Sequence, residues 1–439
     1  MLILVLLLLH VDVVGAFQNQ PGLIVEQVVP GSPAAKAGLE MGDRLLSYDD
    51  KPLNSPASLL AAQQNALGKK EVVLRIGRRT EVMTKMVPSG RLGIQMRPDL
   101  QPELLRTYED GVAALRDQKF ADAIARWKEA AEAARKFGNA DSAAWLYGRI
   151  GESCETRRDW NKATSAHGEA WTLLKGSADS AARSAASMAL GRCSLSSNDV
   201  VNAEKWFQEA LLISTESRDD MGAGAALNNL GVVARIRGDL PAAQTYHTRA
   251  LSIREKVAPN SSEVAVSLIN LASVGLLRGE VVAARNYLSR AVSIQEQVAP
   301  DSLDLAAGLN HLGAVSFTQG DLDAADKYFS RAMALQQRLA PNSPELGGSL
   351  NNLGLVSRSR GDLKAAINYF QQALAIKERL LPGSLDVALT LDNLGLVARD
   401  QGEIERAQEY FSRALGIRER IAPQSLDVAG SLNNLGLVA

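Results

Sequence analysis

Residues 343–382 read SPELGGSLNNLGLVSRSRGDLKAAINYFQQALAIKERLLP. Leu346, Leu350, Leu353 and Val356 return every three or four residues and form one apolar helix stripe, and Leu363, Ala366, Phe370, Ala373 and Leu374 form another. Ser343 is placed to cap the first helix and Glu345 lies in its first turn, where the helix dipole favours an acid. Gly361 suits the left-handed position after that helix, Asp362 the cap of the next, and Pro382 its end. The stretch therefore predicts two antiparallel helices.

The same pattern continues in both directions. LNNLG or a variant ends at Gly231, Ala272, Gly313, Gly354, Gly395 and Gly436, at steps of 41 residues. The Gly-acid pairs from Gly238-Asp239 to Gly402-Glu403 and the prolines Pro259, Pro300, Pro341, Pro382 and Pro423 keep that step. Weaker copies centre on Gly111, Gly151 and Gly191 at steps of 40. Small residues recur where the paired helices must touch: Gly231, Gly313, Gly354 and Gly395 on the first, Ala243, Ala325, Ala366 and Ala407 on the second. Residues 104–439 thus read as an array of about eight repeats and a truncated ninth, whose first helix begins near Asp427 and whose second is expected beyond Ala439.

With Leu-Gly on the first helix and Ala, a large residue and Ala on the second, the array resembles the tetratricopeptide repeat. Its period and the LNNLG and RALAI signatures are closest to the kinesin-light-chain type. The resemblance implies a mostly α fold, a right-handed α-α superhelix whose concave face is lined by the first helices. It places Asn229, Asn270, His311, Asn352 and Asn393, with Asn434 next, on that face or its edge. Such amides suit an extended peptide backbone; equally, they can tie neighbouring repeats together. Four residues after each Gly stand Arg235, Leu276, Phe317, Arg358 and Arg399. Read as part of the groove, they favour an acidic segment flanking an apolar residue; otherwise they form a solvated basic stripe. His167 and His247 occupy the large-residue position of their copies, where packing is expected. In bacteria such repeats often precede a caspase-like CHAT peptidase domain, which gives the alternative reading: the sensing arm of a larger enzyme.

Residues 17–97 follow another pattern. Strands are expected at 23–29, 44–48, 71–76 and 82–87, and helices at 33–37 and 55–67, a small α+β barrel. GSPAAKAGL followed by MGDRLLSYDDKPL resembles a PDZ domain of the bacterial kind. Asp50 stands where that family has a turn glycine, and Asp tolerates the left-handed conformation. The resemblance implies capture of a partner's C-terminus by strand addition, its carboxylate held by backbone amides of a Gly-containing loop. In a permuted module Leu92-Gly93-Ile94 supplies that loop; the other reading is a plain strand or linker leading out of the domain. Leu59, Leu60 and Gln63 are candidates for the side-chain pocket or for the core. The prolines at 98 and 102 make 98–103 a linker.

Met1 to Leu9 form an apolar run, and Val14-Gly15-Ala16 is a small-residue ending of the type that signal peptidase cuts. Residues 1–16 therefore read as a leader or membrane anchor, placing the protein outside the cytoplasm, or else as a buried strand of a cytoplasmic one. Lys+Arg 48 against Asp+Glu 49 gives a net charge of −1, which excludes a bulk electrostatic attachment to nucleic acid, and 5% aromatics provide no stacking platform for it. Cys154 and Cys193 form no CxxC pair and have no neighbouring ligand cluster, so they read as buried thiols, with no metal or cofactor expected. No GxxxxGK[ST], HExxH or GxSxG motif occurs. The sequence points to a non-enzymatic scaffold for proteins or peptides, acidic segments or free C-termini among them. Weak self-association through repeat ends is also expected.

Overall fold

The computed structural model describes residues 22–79 and 81–438, so the apolar run at residues 1–16 lies outside it. Its N-terminal module comprises β1 (Leu23–Val28), α1 (Pro33–Lys36), β2 (Arg44–Tyr48), β3 (Lys51–Pro52), α2 (Pro56–Asn65), β4 (Glu71–Arg78), β5 (Glu81–Pro88) and β6 (Ile94–Pro98). The strands run in the order β5-β4-β2-β1-β6, with β3 attached to β2. Among the described residues every pairing is antiparallel, and β5 and β6 each pair on one side only. Leu23, Leu45, Tyr48, Leu59, Leu74, Ile76, Val87 and Leu92 fill the core.

Local chemistry explains the turns. Ser32 caps α1 with Pro33 in its first turn, and Asp49 and Asp50 both take positive φ between β2 and β3. Strand β4 runs on through Gly77 and Arg78, past its expected end at residue 76, and β5 begins at Glu81; the two-residue β3 was not expected. The next helix begins at Pro102, inside the anticipated 98–103 linker. A proline in the first turn gives up only an N–H that no helix would use.

Helix pairs follow: α3 (Pro102–Arg116) with α4 (Phe120–Lys136), α5 (Ala140–Thr156) with α6 (Trp160–Leu174), α7 (Ser180–Ser196) with α8 (Val200–Glu216), and α9 (Asp220–Ile236) with α10 (Leu240–Val257). These helices and the sheet module make one compact unit, which ends at Pro259. The second unit starts at Asn260 and holds α11 (Ser262–Leu277) with α12 (Val281–Val298), α13 (Leu303–Thr318) with α14 (Leu322–Leu339), α15 (Pro344–Ser359) with α16 (Leu363–Leu380), α17 (Leu385–Asp400) with α18 (Ile404–Ile421), and α19 (Leu426–Gly436). No helix among the described residues is long and apolar enough to cross a membrane.

Within each pair the repeat glycine meets the side chain sixteen residues later. A Cβ on Gly354 would lie 2.5 Å from the Phe370 ring, and Gly111, Gly151, Gly191, Gly231, Gly313 and Gly395 receive Trp127, His167, Phe207, His247, Phe329 and Phe411 in the same way. Where the glycine becomes Ala272, the partner shrinks to Leu288 in the same core cluster. Gly361 has φ +80, and Asp362 accepts a hydrogen bond from the Ala365 N–H. Ser302, Ser343, Ser384 and Ser425 cap their helices as the sequence predicts.

A periodic feature escaped the sequence reading. Gln295, Gln336, Lys377 and Arg418 are buried polar side chains on successive second helices, at the array's own period of 41. Most of them bond to the first helix of the following pair. Gln336 Oε1 accepts from Ser349 Oγ at 2.6 Å, Lys377 Nζ donates to Thr390 Oγ1 at 3.0 Å, and Arg418 pairs with Asp392 and Ser431. An apolar interface tolerates sliding; a buried polar pair fixes its register.

Candidate functional site

Strand β6 lies at the sheet edge, and α2 flanks it. An edge strand leaves half its backbone groups without a ladder partner, so it can accept an added strand. The loop before it is held firmly. Tyr48 Oη accepts from the Gly90 N–H at 3.0 Å, the Leu92 carbonyl accepts from Ala34 N–H, and the Gly93 carbonyl from Val29 N–H. Gly93 has φ +71, and a Cβ there would lie 2.5 Å from Ser32 Cβ, so no other residue fits. The N–H groups of Leu92 and Gly93 have no hydrogen-bond partner among the described residues. Leu92 itself is a core residue, and Ile94 opens β6 at the register of Val28.

The three pocket candidates separate. Leu59 and Gln63 are buried in the module, whereas Leu60 points outward. Helix α2 turns this outer face to α7 and α9, and a cavity of about 660 Å³ lies between them, lined by Leu60, Ala61, Trp145, Ala185, Ala189 and Arg192 among others. Asn65 fastens the contact: its Nδ2 donates to Asp219 Oδ1 at 2.7 Å and its Oδ1 accepts from the Met221 N–H at 3.2 Å. The sheet module thus leans on the first unit's own helices.

The first helices of the second unit carry a stripe turned away from their neighbours: Val266, Asn270, Ser273 and Leu277 on α11, then Ala307, His311, Ala314 and Thr318 on α13. Asn352 belongs to the same stripe and has no hydrogen-bond partner among the described residues. Asn393 is buried instead and donates to Asn351 Oδ1 at 3.0 Å, a tie between repeats; Asn229, in the first unit, donates to Ala225 O of its own helix. Phe317 packs against Phe329, Leu353 and Val356, so it belongs to the inter-repeat core rather than to an open groove. Arg358 and Arg399 both reach Asp400, at 2.7 and 3.1 Å, and hold its carboxyl below the usual range despite its partial burial. Arg235 is half-buried, and its charge bears on His247.

Three side chains from three helices converge elsewhere in the first unit. His167 Nε2 on α6 lies 2.7 Å from Glu155 Oε1 on α5, and Cys193 on α7 points its Sγ at the same oxygen from 3.6 Å. All three ligand-type atoms fall within 4.8 Å of one another. His167 and Cys193 are buried and Glu155 half-buried; the Arg192 guanidinium stands 3.7 Å from the carboxylate. Burial raises the Glu155 pKa, but His167 and Arg192 outweigh it, leaving the carboxyl below its usual value. Burial first and Glu155 second push the Cys193 thiol up to about 12. Other cases are simpler. His247 meets Asn228 at 3.1 Å, its Nε2 has no partner among the described residues, and burial, then Arg235 and Arg254, lower its pKa to about 4.

Comparison with protein families matches a PDZ domain to residues 24–78 and tetratricopeptide repeats to residues 182–256, 222–297, 304–379 and 387–423. The chain is a PDZ domain followed by tetratricopeptide repeats. Among solved structures it resembles Cut9–Hcn1 of the APC/C hetero-tetramer, at 17% identity over 77% of this chain and 59% of that one, with a TM-score of 0.51. It also resembles BtubC (BKLC) from P. vanneervenii, at 22% identity over 51% and 91% of the two chains and a TM-score of 0.46. A third likeness is to TPR-like repeats attributed to a kinesin light chain of Podosopora anserina, at 18% identity over 45% and 94%, with a TM-score of 0.40. No curated protein matches the chain.

Within the repeats, the convergence of Glu155, His167 and Cys193 corrects the expectation that nothing near the cysteines could form a ligand cluster. The three are distant in sequence and join only where helix pairs stack. One signal could have found them. Measured from its repeat glycine, Glu155 stands where Arg235, Arg358 and Arg399 stand, His167 where Phe329, Phe370 and Phe411 stand, and Cys193 where Val233, Val315, Val356 and Val397 stand.

Proposed function

We propose that the chain is a non-enzymatic scaffold that takes the free C-terminus of a partner in its PDZ domain and further peptide segments on its repeats. The observation carrying this reading is the pair of N–H groups at Leu92 and Gly93 that have no hydrogen-bond partner among the described residues, beside strand β6, which pairs on one side only among the described strands. Successive free backbone amides form an anion-binding concavity, and an edge strand next to it supplies the ladder for the residues that precede a carboxylate. On the repeats, the stripe through Asn270, His311 and Asn352 offers amide and imidazole groups among small apolar residues, a surface suited to peptide backbone. An acidic segment reaching Arg358 and Arg399 has to displace Asp400, which makes it the weaker class of ligand.

Fluorescence anisotropy with a library of labelled peptides tests the reading. Hits are expected to lose binding when their C-terminus is amidated, and Gly93→Ala is expected to abolish binding while the repeats stay folded by circular dichroism. Peptides that bind equally well with an amidated end overturn it. The apolar run before Ala16 also leads us to propose an extracytoplasmic location; N-terminal sequencing of the protein from its native host, with Phe17 as first residue, is the expected result.

A further inference from the structure

We propose that Glu155, His167 and Cys193 form a zinc-binding site in the second and third repeats, its fourth position open to the cavity between the repeats and the PDZ domain. Three observations support this independently of peptide binding.

The first is the donor set. An imidazole nitrogen, a thiolate sulfur and a carboxylate oxygen are the ligands that zinc takes in protein sites with one open position. In a tetrahedral site neighbouring donors stand roughly 3.3 to 3.7 Å apart, as follows from zinc–ligand bonds of about 2.0 to 2.3 Å. Here Glu155 stands 2.7 Å from His167 and 3.6 Å from Cys193, within a cluster 4.8 Å across. Small side-chain rotations therefore convert the hydrogen-bonded cluster into a coordinated one.

The second is the coincidence of departures. The array supplies its own register, and at each of these positions most other repeats use a residue that binds no metal: Arg, Leu or Phe for Glu155, Phe for His167, Val for Cys193. His247 shows that a histidine at this position does not make such a cluster by itself: in its repeat Arg235 stands in place of the acid, and the ring bonds Asn228 instead. Only where all three change together do the donors meet.

The third is access. His167 and Arg192 line the 660 Å³ cavity, so a metal ion and a water ligand can enter from there. Arg192, half-exposed, can turn to solvent when the ion replaces it beside Glu155. In the metal-free cluster His167 Nε2 donates its hydrogen to the Glu155 carboxylate; on binding, Nε2 releases that proton to solvent and Nδ1 takes one up, so that the Nε2 lone pair bonds zinc, while the Cys193 thiol gives its proton to solvent as the thiolate bonds the metal. No electron changes hands.

The test uses the full chain, reduced and stripped by a chelator. Titrated with Co(II), it is expected to develop a thiolate-to-cobalt charge-transfer band and tetrahedral d–d bands, saturating at one equivalent and erased by Zn(II). Cys193→Val, His167→Phe and Glu155→Arg each install the residue that other repeats carry there, so folding is expected to persist by circular dichroism. Cys193→Val is expected to lose the charge-transfer band, and the other two to bind Co(II) at least tenfold more weakly. Cys154→Ser is expected to leave the spectrum unchanged. A wild-type chain without the band, a Cys193→Val chain that retains it, or a Cys154→Ser chain that loses it overturns the proposal.

Discussion

The four helix pairs before Pro259 and the four after it each set the side chain sixteen residues on against the repeat's small residue, but they differ in whether that side chain is polar. In the first unit the contacts are Trp127, His167, Phe207 and His247, so polarity enters the heart of individual pairs. In the second they are Leu288, Phe329, Phe370 and Phe411, all apolar; the buried polar residues Gln295, Gln336, Lys377 and Arg418 recur instead at a constant step of 41, one that Arg254 of the first unit already keeps. A polar group that recurs with the period serves the stacking every repeat must achieve. One that breaks the period has no such duty. The difference teaches where to look for function in a solenoid: at residues that the repeat does not explain.

The comparison breaks most visibly at its apolar end. Phe370 is fully buried against Gly354, and Phe370→Ala is expected to cost about 4 kcal/mol, because a backbone held by its neighbours cannot close the hole. Urea unfolding measures this, and a loss well under half that size would mean the pairs pack loosely. Next comes the polar contact in the first unit. The His247 pKa of about 4 lies below its unfolded value of about 6.5, so the folded state resists protonation. Its stability is complete above pH 6.5 and falls as the pH drops toward 4, by about 3 kcal/mol at one pKa unit per 1.36 kcal/mol. His247→Phe, which installs the second unit's residue, is expected to remove that part of the difference between unfolding at pH 7 and pH 4.5. The smallest effect belongs to the surface. Arg358→Ala breaks a half-exposed pair with Asp400, which Arg399 still contacts, and is expected to cost less than about 1 kcal/mol, a difference that shrinks further in high salt.

The repeats were legible because helix period, caps and small-residue contacts repeat at one step; Gly361, Asp362 and Ser343 act as their types require. The PDZ elements were legible for the same local reasons, from Ser32 to Asp50. The rest depends on packing between segments. Arg358 and Arg399 were read as groove charges because Asp400 has no counterpart in the other repeats, where Ser359, Thr318 and Leu277 hold its position. Phe317 was read as a groove residue because it shares its position with Arg235, Leu276, Arg358 and Arg399, yet its ring packs against the core that Leu353 and Val356 of the next repeat complete. Histidine and cysteine were each weighed alone, and alone each is ordinary; only the stacking of α5, α6 and α7 brings them together. Nothing in the sequence announced that Leu60 and Asn65 would face the repeats, since α2 is short and its outer face mixes apolar and polar residues.

Asn65 carries a consequence for how the chain is made. A solenoid joins near neighbours in sequence, so its repeats can form one after another and melt one after another. The bonds from Asn65 to Asp219 and Met221 span more than 150 residues and complete the opening turn of α9, whose cap Asp219 also serves Gly222. Loops of that length close slowly, because their entropy is spent before any contact repays it. The fourth repeat can therefore emerge and coil early, yet its first turn is finished only once the PDZ domain, synthesised long before, has folded back onto it; up to Pro259 the chain gains a cooperativity that near-neighbour stacking alone does not provide.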